Sequence, residues 1–85
     1  MFLKGYEVIK LLDGQDFYKG TRIDIYSNDE ERILMKTKVA CDDDKYYYLV
    51  NLEDNLEISS SMFCSGFTFK ILDWYRWRLN NYQIK

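Results

Sequence analysis

After residue 20 the chain alternates apolar and polar side chains in short runs, and turn-forming residues separate one run from the next. Successive side chains of a β-strand point to opposite faces of the sheet, so this pattern is typical of strands with one buried face. The runs are Arg22–Ser27, Arg32–Ala40, Lys45–Asn51, Leu56–Ser59 and a last one that begins at Phe67. An acidic turn of about four residues between the first two runs predicts a hairpin. The alternation therefore favours a mainly antiparallel β structure.

The connections between the later runs carry signals of their own. Asp42–Asp44 predicts a turn, because Asp side chains accept hydrogen bonds from backbone groups close by in the chain. The Ser-rich segment 59–66 predicts an irregular crossing, with a short helical turn around Met62 and Phe63. The alternation breaks at Leu72, which predicts a bulge or the end of the last strand.

One helix is expected ahead of the strands. Leu3–Asp13 is the only segment with helical spacing of apolar side chains, and its stripe consists of Val8, Ile9, Leu11 and Leu12. Gly14 is expected to end this helix in the left-handed conformation. A helix of about ten residues is too short to be stable alone, so its stripe must lie on the sheet. The predicted fold is a single α+β domain, 1–85, with a short N-terminal helix on a curled antiparallel meander of about five strands, as an open sheet or a small barrel.

The sequence lacks the residues and motifs that enzymes commonly use for catalysis. It has no His, so the commonest general base and transition-metal ligand are missing. Without a His to form the thiolate, Cys64 is a weak nucleophile, and the four Gly residues are too dispersed for a phosphate-binding loop. Asp42–Asp44 lacks the ligand spacing of a calcium loop and fits a solvated turn. We therefore expect a protein without catalytic activity, cofactor or metal.

The N-terminal segment Met1–Leu12 has neither the apolar run nor the cleavage site of a signal peptide. Nowhere does an apolar stretch approach the roughly 20 residues that a membrane-spanning helix needs. These features predict a cytoplasmic protein that does not contact a membrane. In that compartment Cys41 and Cys64 are expected to be reduced thiols.

The charges are unevenly distributed. The net charge is −2, but residues 41–65 carry one cation against six acidic side chains, a net −5. The last twenty residues carry four cations against Asp73, a net +3. Opposite charges at the two regions favour self-association into a homo-oligomer, although a solvated charged face explains them too. The acidic middle and the pI of about 5.0 argue against binding of long nucleic acid.

Two clusters of aromatic residues are candidates for contact surfaces. The stretch 74–78 interleaves rings with Arg side chains, a combination that suits planar anionic ligands, although a Trp that completes the core with Arg in solvent fits it as well. Tyr46, Tyr47 and Tyr48 are consecutive, so at least one of them must point away from the core of a sheet. An outward Tyr is a common interface anchor, and it equally fits a ring lying flat on the surface with its hydroxyl in water.

The segment Gly5–Gly14, followed by a basic residue and strands and closed by Ile71–Tyr75, resembles small proteins of bacteriophages that infect Gram-positive hosts. Among these, the chain looks most like the Thoeris anti-defence family. The resemblance implies a short helix on an antiparallel sheet and assembly into homo-oligomers. It also implies that signalling nucleotides of the cyclic ADP-ribose type are sequestered between subunits without being cleaved.

Three hypotheses for function follow. The first is a phage or prophage accessory protein that neutralises host antiviral defence by sequestering a small signalling nucleotide, with Arg22, Tyr26, Trp74, Arg76, Trp77 and Arg78 as ligand-binding residues. The alternative is an inhibitor that binds a host defence effector, such as a CRISPR or other nuclease, with Asp42, Asp43, Asp44 and Tyr47 as partner-binding residues. The third is a small oligomeric structural or assembly protein.

Overall fold

A computed structural model describes residues 2–72 of the chain and confirms the α+β class, with one helix against a five-stranded antiparallel open sheet. The elements in chain order are β1 (Phe2–Lys4), α1 (Gly5–Asp13), β2 (Arg22–Tyr26), β3 (Ile33–Cys41), β4 (Tyr47–Asn51), a 3-10 helix (Ser60–Phe63) and β5 (Thr68–Ile71). The hairpin of β2 and β3 and the helical turn at Met62 and Phe63 are confirmed. The last strand ends at Ile71, as the break in alternation predicted.

The strand order is β1-β5-β2-β3-β4, so only β2, β3 and β4 follow one another as a meander. After β4 the chain crosses to the far side of β2, where β5 inserts between β2 and β1. The 3-10 helix lies on this crossing and packs against the start of α1, where its Phe63 approaches Gly5. The sheet therefore has β1 and β4 as its two edges and does not close into a barrel.

The start of the helix differs from the prediction. Residues Phe2–Lys4 form a strand instead of the first helical turn, because Leu3 pairs with Phe69 of β5 and its side chain is buried there. Lys4 is extended, and its backbone N–H donates to Glu7 Oε1 at 2.8 Å. This hydrogen bond satisfies one of the backbone donors at the start of a helix and fixes the beginning of α1 at Gly5.

Two further expectations are corrected. Gly14 has a right-handed backbone, with φ −81°, and it is Gln15 that adopts a positive φ of 57°. Hydrogen bonds from the N–H groups of residues 14–16 to carbonyls of the last helical turn satisfy the end of α1 without a left-handed Gly. The predicted strand Leu56–Ser59 is reduced to an isolated bridge between Glu57 and Val50.

The core lies between α1 and one face of the sheet. The helix contributes Val8 and Leu12, which are buried, whereas Ile9 is 37% exposed and lies at the margin of the stripe. Phe69 is fully buried, and its ring stacks on Phe63 with 5.3 Å between the centroids. The apolar residues that the sheet contributes to this core are Leu3, Ile23, Ile25, Val39, Leu49, Phe69 and Ile71. Their alternation leaves the intervening residues on the opposite face of the sheet.

Candidate functional site

The face of the sheet opposite α1 carries a group of cations, which we call the basic face: Arg22, Lys36, Lys38 and Lys70. Across the strand pairs, Lys38 lies opposite Arg22, and Asp24 lies opposite both Lys36 of β3 and Lys70 of β5. Side chains paired in this way have Cβ atoms about 4.5–5.5 Å apart, so the register gathers these charges. Four cations thus surround one carboxylate on a chain whose net charge is −2.

Asp24 lies at the centre of the basic face and is only 5% exposed. Arg22 Nη2 lies 3.7 Å from Asp24 Oδ1, and within residues 2–72 this buried oxygen has no hydrogen-bond partner. A carboxylate buried in this way is costly unless an opposite charge compensates it, and the Arg22 guanidinium supplies that charge. The Arg22 guanidinium is also held by its Nε, which donates to the Thr37 carbonyl oxygen at 3.3 Å.

Two rings border the basic face. Tyr26 follows Asp24 on the same side of β2, and its ring meets that of Phe2 edge to face at 5.1 Å between centroids. Lys70 Nζ lies 5.9 Å from the centroid of the Phe2 ring, within the range of a cation–π contact. The basic face therefore combines cations with partly exposed rings, the combination that binds planar anions.

The structure places Arg22 and Tyr26, both predicted as ligand-binding, on one face of β2 with Asp24 between them. The other predicted members, Trp74, Arg76, Trp77 and Arg78, lie outside the described residues. The lysines of β3 and β5 and the Phe2 ring were not among the predicted site residues. The alternation of β3 did place Lys36 and Lys38 on its polar side, but only the strand pairing shows that they lie beside Arg22 and Asp24.

A second surface, which we call the tyrosine groove, runs between the last turn of α1, the start of β4 and the segment 57–60. It encloses about 200 Å³. Its walls combine apolar and acidic side chains with the three consecutive tyrosines: Ile9, Leu12, Asp13, Tyr46, Tyr47, Tyr48, Leu49, Glu57, Ile58, Ser60 and Phe63.

Tyr46 is the most exposed of the three tyrosines, with 52% of its surface accessible. Its ring stacks on Tyr48 at 5.3 Å between centroids, and its hydroxyl donates to Glu57 Oε2 at 3.0 Å. This hydrogen bond is the main cause that raises the pKa of Tyr46 above its ordinary value. Partial burial and the negative charges of Glu57, Asp13 and Asp42 raise the pKa further.

The predicted turn at Asp42–Asp44 is confirmed and borders the tyrosine groove. Asp42 Oδ1 accepts from the backbone N–H groups of Asp44 and Tyr46 at 3.0 and 2.9 Å. Asp43 and Asp44 are exposed. Tyr47 is half-buried and packs against the core, and its pKa is raised first by burial and then by the neighbouring Cys41. Of the predicted partner-binding residues, the three Asp therefore lie at the surface, while the exposed ring beside them is Tyr46.

No known protein family, curated protein or solved structure matches this chain. Within residues 2–72, no group of three His, Cys, Asp or Glu side chains is placed to hold a metal ion, and Cys41 and Cys64 are both free. No helix in the same part of the chain is long and apolar enough to cross a membrane.

Proposed function

We propose that this chain is a non-enzymatic binding protein that sequesters a small, phosphate-bearing nucleotide on the basic face. The observation that carries the proposal is the placement of Arg22, Lys36, Lys38 and Lys70 on one face of the sheet, around Asp24. Arg binds phosphate oxygens through a planar pair of donors, and Lys contributes a compact positive charge. A nucleotide base would stack on the Tyr26 ring at the border of this face.

The charge distribution supports a short ligand in preference to a long one. The basic face covers strands β2, β3 and β5, whereas residues 41–65 carry a net charge of −5. A long polyanion that extended from the basic face across β3 toward β4 would meet this acidic region and be repelled. A compact nucleotide keeps its phosphates within the basic face and meets no such repulsion.

The biological role in this proposal is that of a phage or prophage accessory protein that neutralises host antiviral defence. Its support is the sequence resemblance of Gly5–Gly14 and Ile71–Tyr75 to the Thoeris anti-defence proteins. Sequestration requires tight binding without turnover, and the chain's lack of His is compatible with that requirement. In this role the protein acts in the host cytoplasm as a homo-oligomer.

Isothermal titration calorimetry against a panel of cyclic nucleotides tests the proposal. We expect at least one nucleotide to bind, with an affinity that falls as salt is added, because salt screens contacts between phosphates and cations. Arg22→Gln should weaken binding about tenfold or more, since a hydrogen bond to a charged group contributes about 1.5–3 kcal/mol. Lys36→Gln, at an exposed site, should weaken it less.

Lys10→Gln is the matched control, because Lys10 is an exposed cation on α1 and not on the sheet. It should leave nucleotide affinity unchanged, and circular dichroism should show that all three variants are folded. The absence of heat with every nucleotide would refute the proposal. Equal losses in Lys10→Gln and Lys36→Gln would show that binding follows net charge and not the basic face.

A further inference from the structure

We propose that the tyrosine groove is a docking site for an arginine side chain presented by a partner protein. This interaction is separate from nucleotide binding, since the groove lies at the β4 edge of the sheet, beside α1, whereas the basic face is formed by residues of β2, β3 and β5. The groove is smaller than the roughly 300–1,000 Å³ of pockets that bury drug-sized ligands, so it suits a single long side chain.

The apolar walls of the groove match the aliphatic part of such a side chain. Ile9 and Tyr46 are 37% and 52% exposed, although both are large and apolar. With the buried Leu12 and Ile58 they form a surface that the three methylene groups of an arginine would cover. Exposed apolar side chains gathered in a concave surface are typical of interaction sites.

The acidic side chains of the groove complement the positive charge of the guanidinium group at the end of the arginine side chain. Within residues 2–72, neither Asp13 nor Glu57 has a cationic partner, and the Glu57 carboxylate accepts only the Tyr46 hydroxyl through Oε2. Its other oxygen remains an acceptor for a guanidinium N–H. The acidic residues 41–65 extend the negative field around the groove, which attracts cations and repels phosphates.

The stacked rings favour arginine over lysine. Tyr46 and Tyr48 lie nearly parallel, with 20° between their planes, and Tyr46 is partly open to solvent. A planar guanidinium can stack on this ring and at the same time donate to the Glu57 carboxylate, whereas an ammonium group offers only a point charge. The groove therefore selects for both the charge and the planarity of arginine.

An NMR titration with small probes tests this inference. N-acetyl-arginine-methylamide should shift the amide signals of Ile9, Tyr46, Tyr48 and Glu57. N-acetyl-citrulline-methylamide has nearly the same shape without the charge and should bind at least about threefold more weakly, as expected for loss of a partly exposed ion pair. The lysine analogue should fall between the two.

Variants of the acidic side chains test whether the arginine probe binds in the tyrosine groove. Glu57→Gln and Asp13→Asn should each weaken binding of the arginine probe about threefold. Glu53→Gln is the matched control, because Glu53 is an exposed acid of the same acidic region but does not line the groove. It should leave the affinity unchanged. Because the Asp13 side chain makes no hydrogen bond or ion pair within residues 2–72, its variant keeps the test valid if Glu57→Gln disturbs the fold.

Several results would overturn the inference. Equal affinity for the arginine and citrulline probes would show that charge plays no part. Equal weakening of arginine-probe binding in Glu53→Gln and Glu57→Gln would show that the probe responds to the overall negative charge of residues 41–65 and not to the groove. If dilution of the protein alone shifted the signal of Ile9, which lies on α1 and outside the acidic residues 41–65, together with the other three, the groove would be occupied by another copy of this chain. None of these outcomes bears on nucleotide binding, which is measured with other ligands and variants.

Discussion

At the scale of single residues, Tyr46 shows how an exposed side chain acquires a distinct chemical environment. It is the only one of the three consecutive tyrosines that donates a side-chain hydrogen bond to a carboxylate within the described residues, and its acceptor is Glu57. That bond exists only while the phenol is protonated, and nearby acidic groups disfavour the phenolate further. The pKa of Tyr46 is therefore raised above 10.0, its ordinary value.

This raised pKa predicts a contribution to stability with a defined pH range. A group whose pKa is higher in the folded state stabilises the protein below the unfolded pKa, and loses that contribution as the pH rises through the folded pKa. Tyr46→Phe should therefore lose the hydrogen bond at neutral pH and show a weaker decline of stability above about pH 10. Denaturant unfolding of both proteins at a series of pH values measures this.

Glu57→Gln is the companion variant, because Gln still offers an oxygen acceptor but carries no charge. The tyrosine ring signals in carbon-13 NMR should then show the pKa of Tyr46 closer to its ordinary value. An unchanged pKa in Glu57→Gln would mean that Glu57 is not the cause of the shift.

At the scale of elements, the packing of the 3-10 helix against α1 depends on the first residue of α1. Gly5 is buried, and a Cβ atom at this position would overlap the carbonyl oxygen of Phe63 and lie 2.7 Å from its carbonyl carbon. Both obstructing atoms belong to the backbone, so neither can move without shifting the crossing between β4 and β5. The position requires Gly for space and not for a positive φ.

Gly5→Ala should therefore destabilise the protein, although Ala is the better helix former by about 1 kcal/mol. Overpacking of this kind costs about 1–3 kcal/mol, which we expect to exceed the gain in helix propensity. Gly14→Ala is the control: its φ is right-handed, and its Cβ would meet mainly the flexible Asp16 carboxylate. Urea unfolding should give a clearly lower midpoint for Gly5→Ala than for Gly14→Ala. A Gly5→Ala protein as stable as the wild type would contradict the tight contact.

The elements that could be predicted from the sequence are those defined by local periodicity. The alternation in 22–27 and 32–40 located β2 and β3 to within a residue or two, and Asp42 fixed the turn before β4. The strand β1 was missed, because three residues are too few to show alternation and the pairing partner of Leu3, Phe69, lies 66 positions later in the chain. The segment Leu56–Ser59 has strand-like alternation but pairs only through Glu57.

At the scale of the whole molecule, the charge distribution predicts self-association. Residues 41–65 carry −5 and the last twenty residues +3, so we expect the two regions to attract each other between copies. Within the described residues, segment 56–58 hydrogen-bonds to the outer edge of β4, whereas β1 pairs on one side only, and an unpaired edge strand can pair with a second chain.

Light scattering coupled to size exclusion should give a mass above the 10.3 kDa of one chain at low salt. If the charges drive assembly, the mass should fall toward that of the monomer at high salt, because screening shortens the range of charge attraction to a few ångströms. An oligomer whose mass does not change with salt would indicate that strand pairing at the sheet edges, and not charge attraction, holds the copies together. A monomer at low salt would contradict self-association.

The sequence by itself determined the α+β class, the existence of the helix, the β2–β3 hairpin and the acidic turn, because each depends on side chains that are neighbours in the chain. Only the tertiary structure decided that β5 lies between β1 and β2, and hence that Lys70 joins Arg22 and Lys36 around Asp24. It also decided that Tyr46 meets Glu57 across 11 positions. Periodicity states which face of a strand is buried but not which strand lies beside it. That choice depends on how distant apolar faces bury one another, so both candidate surfaces emerge only in the folded chain.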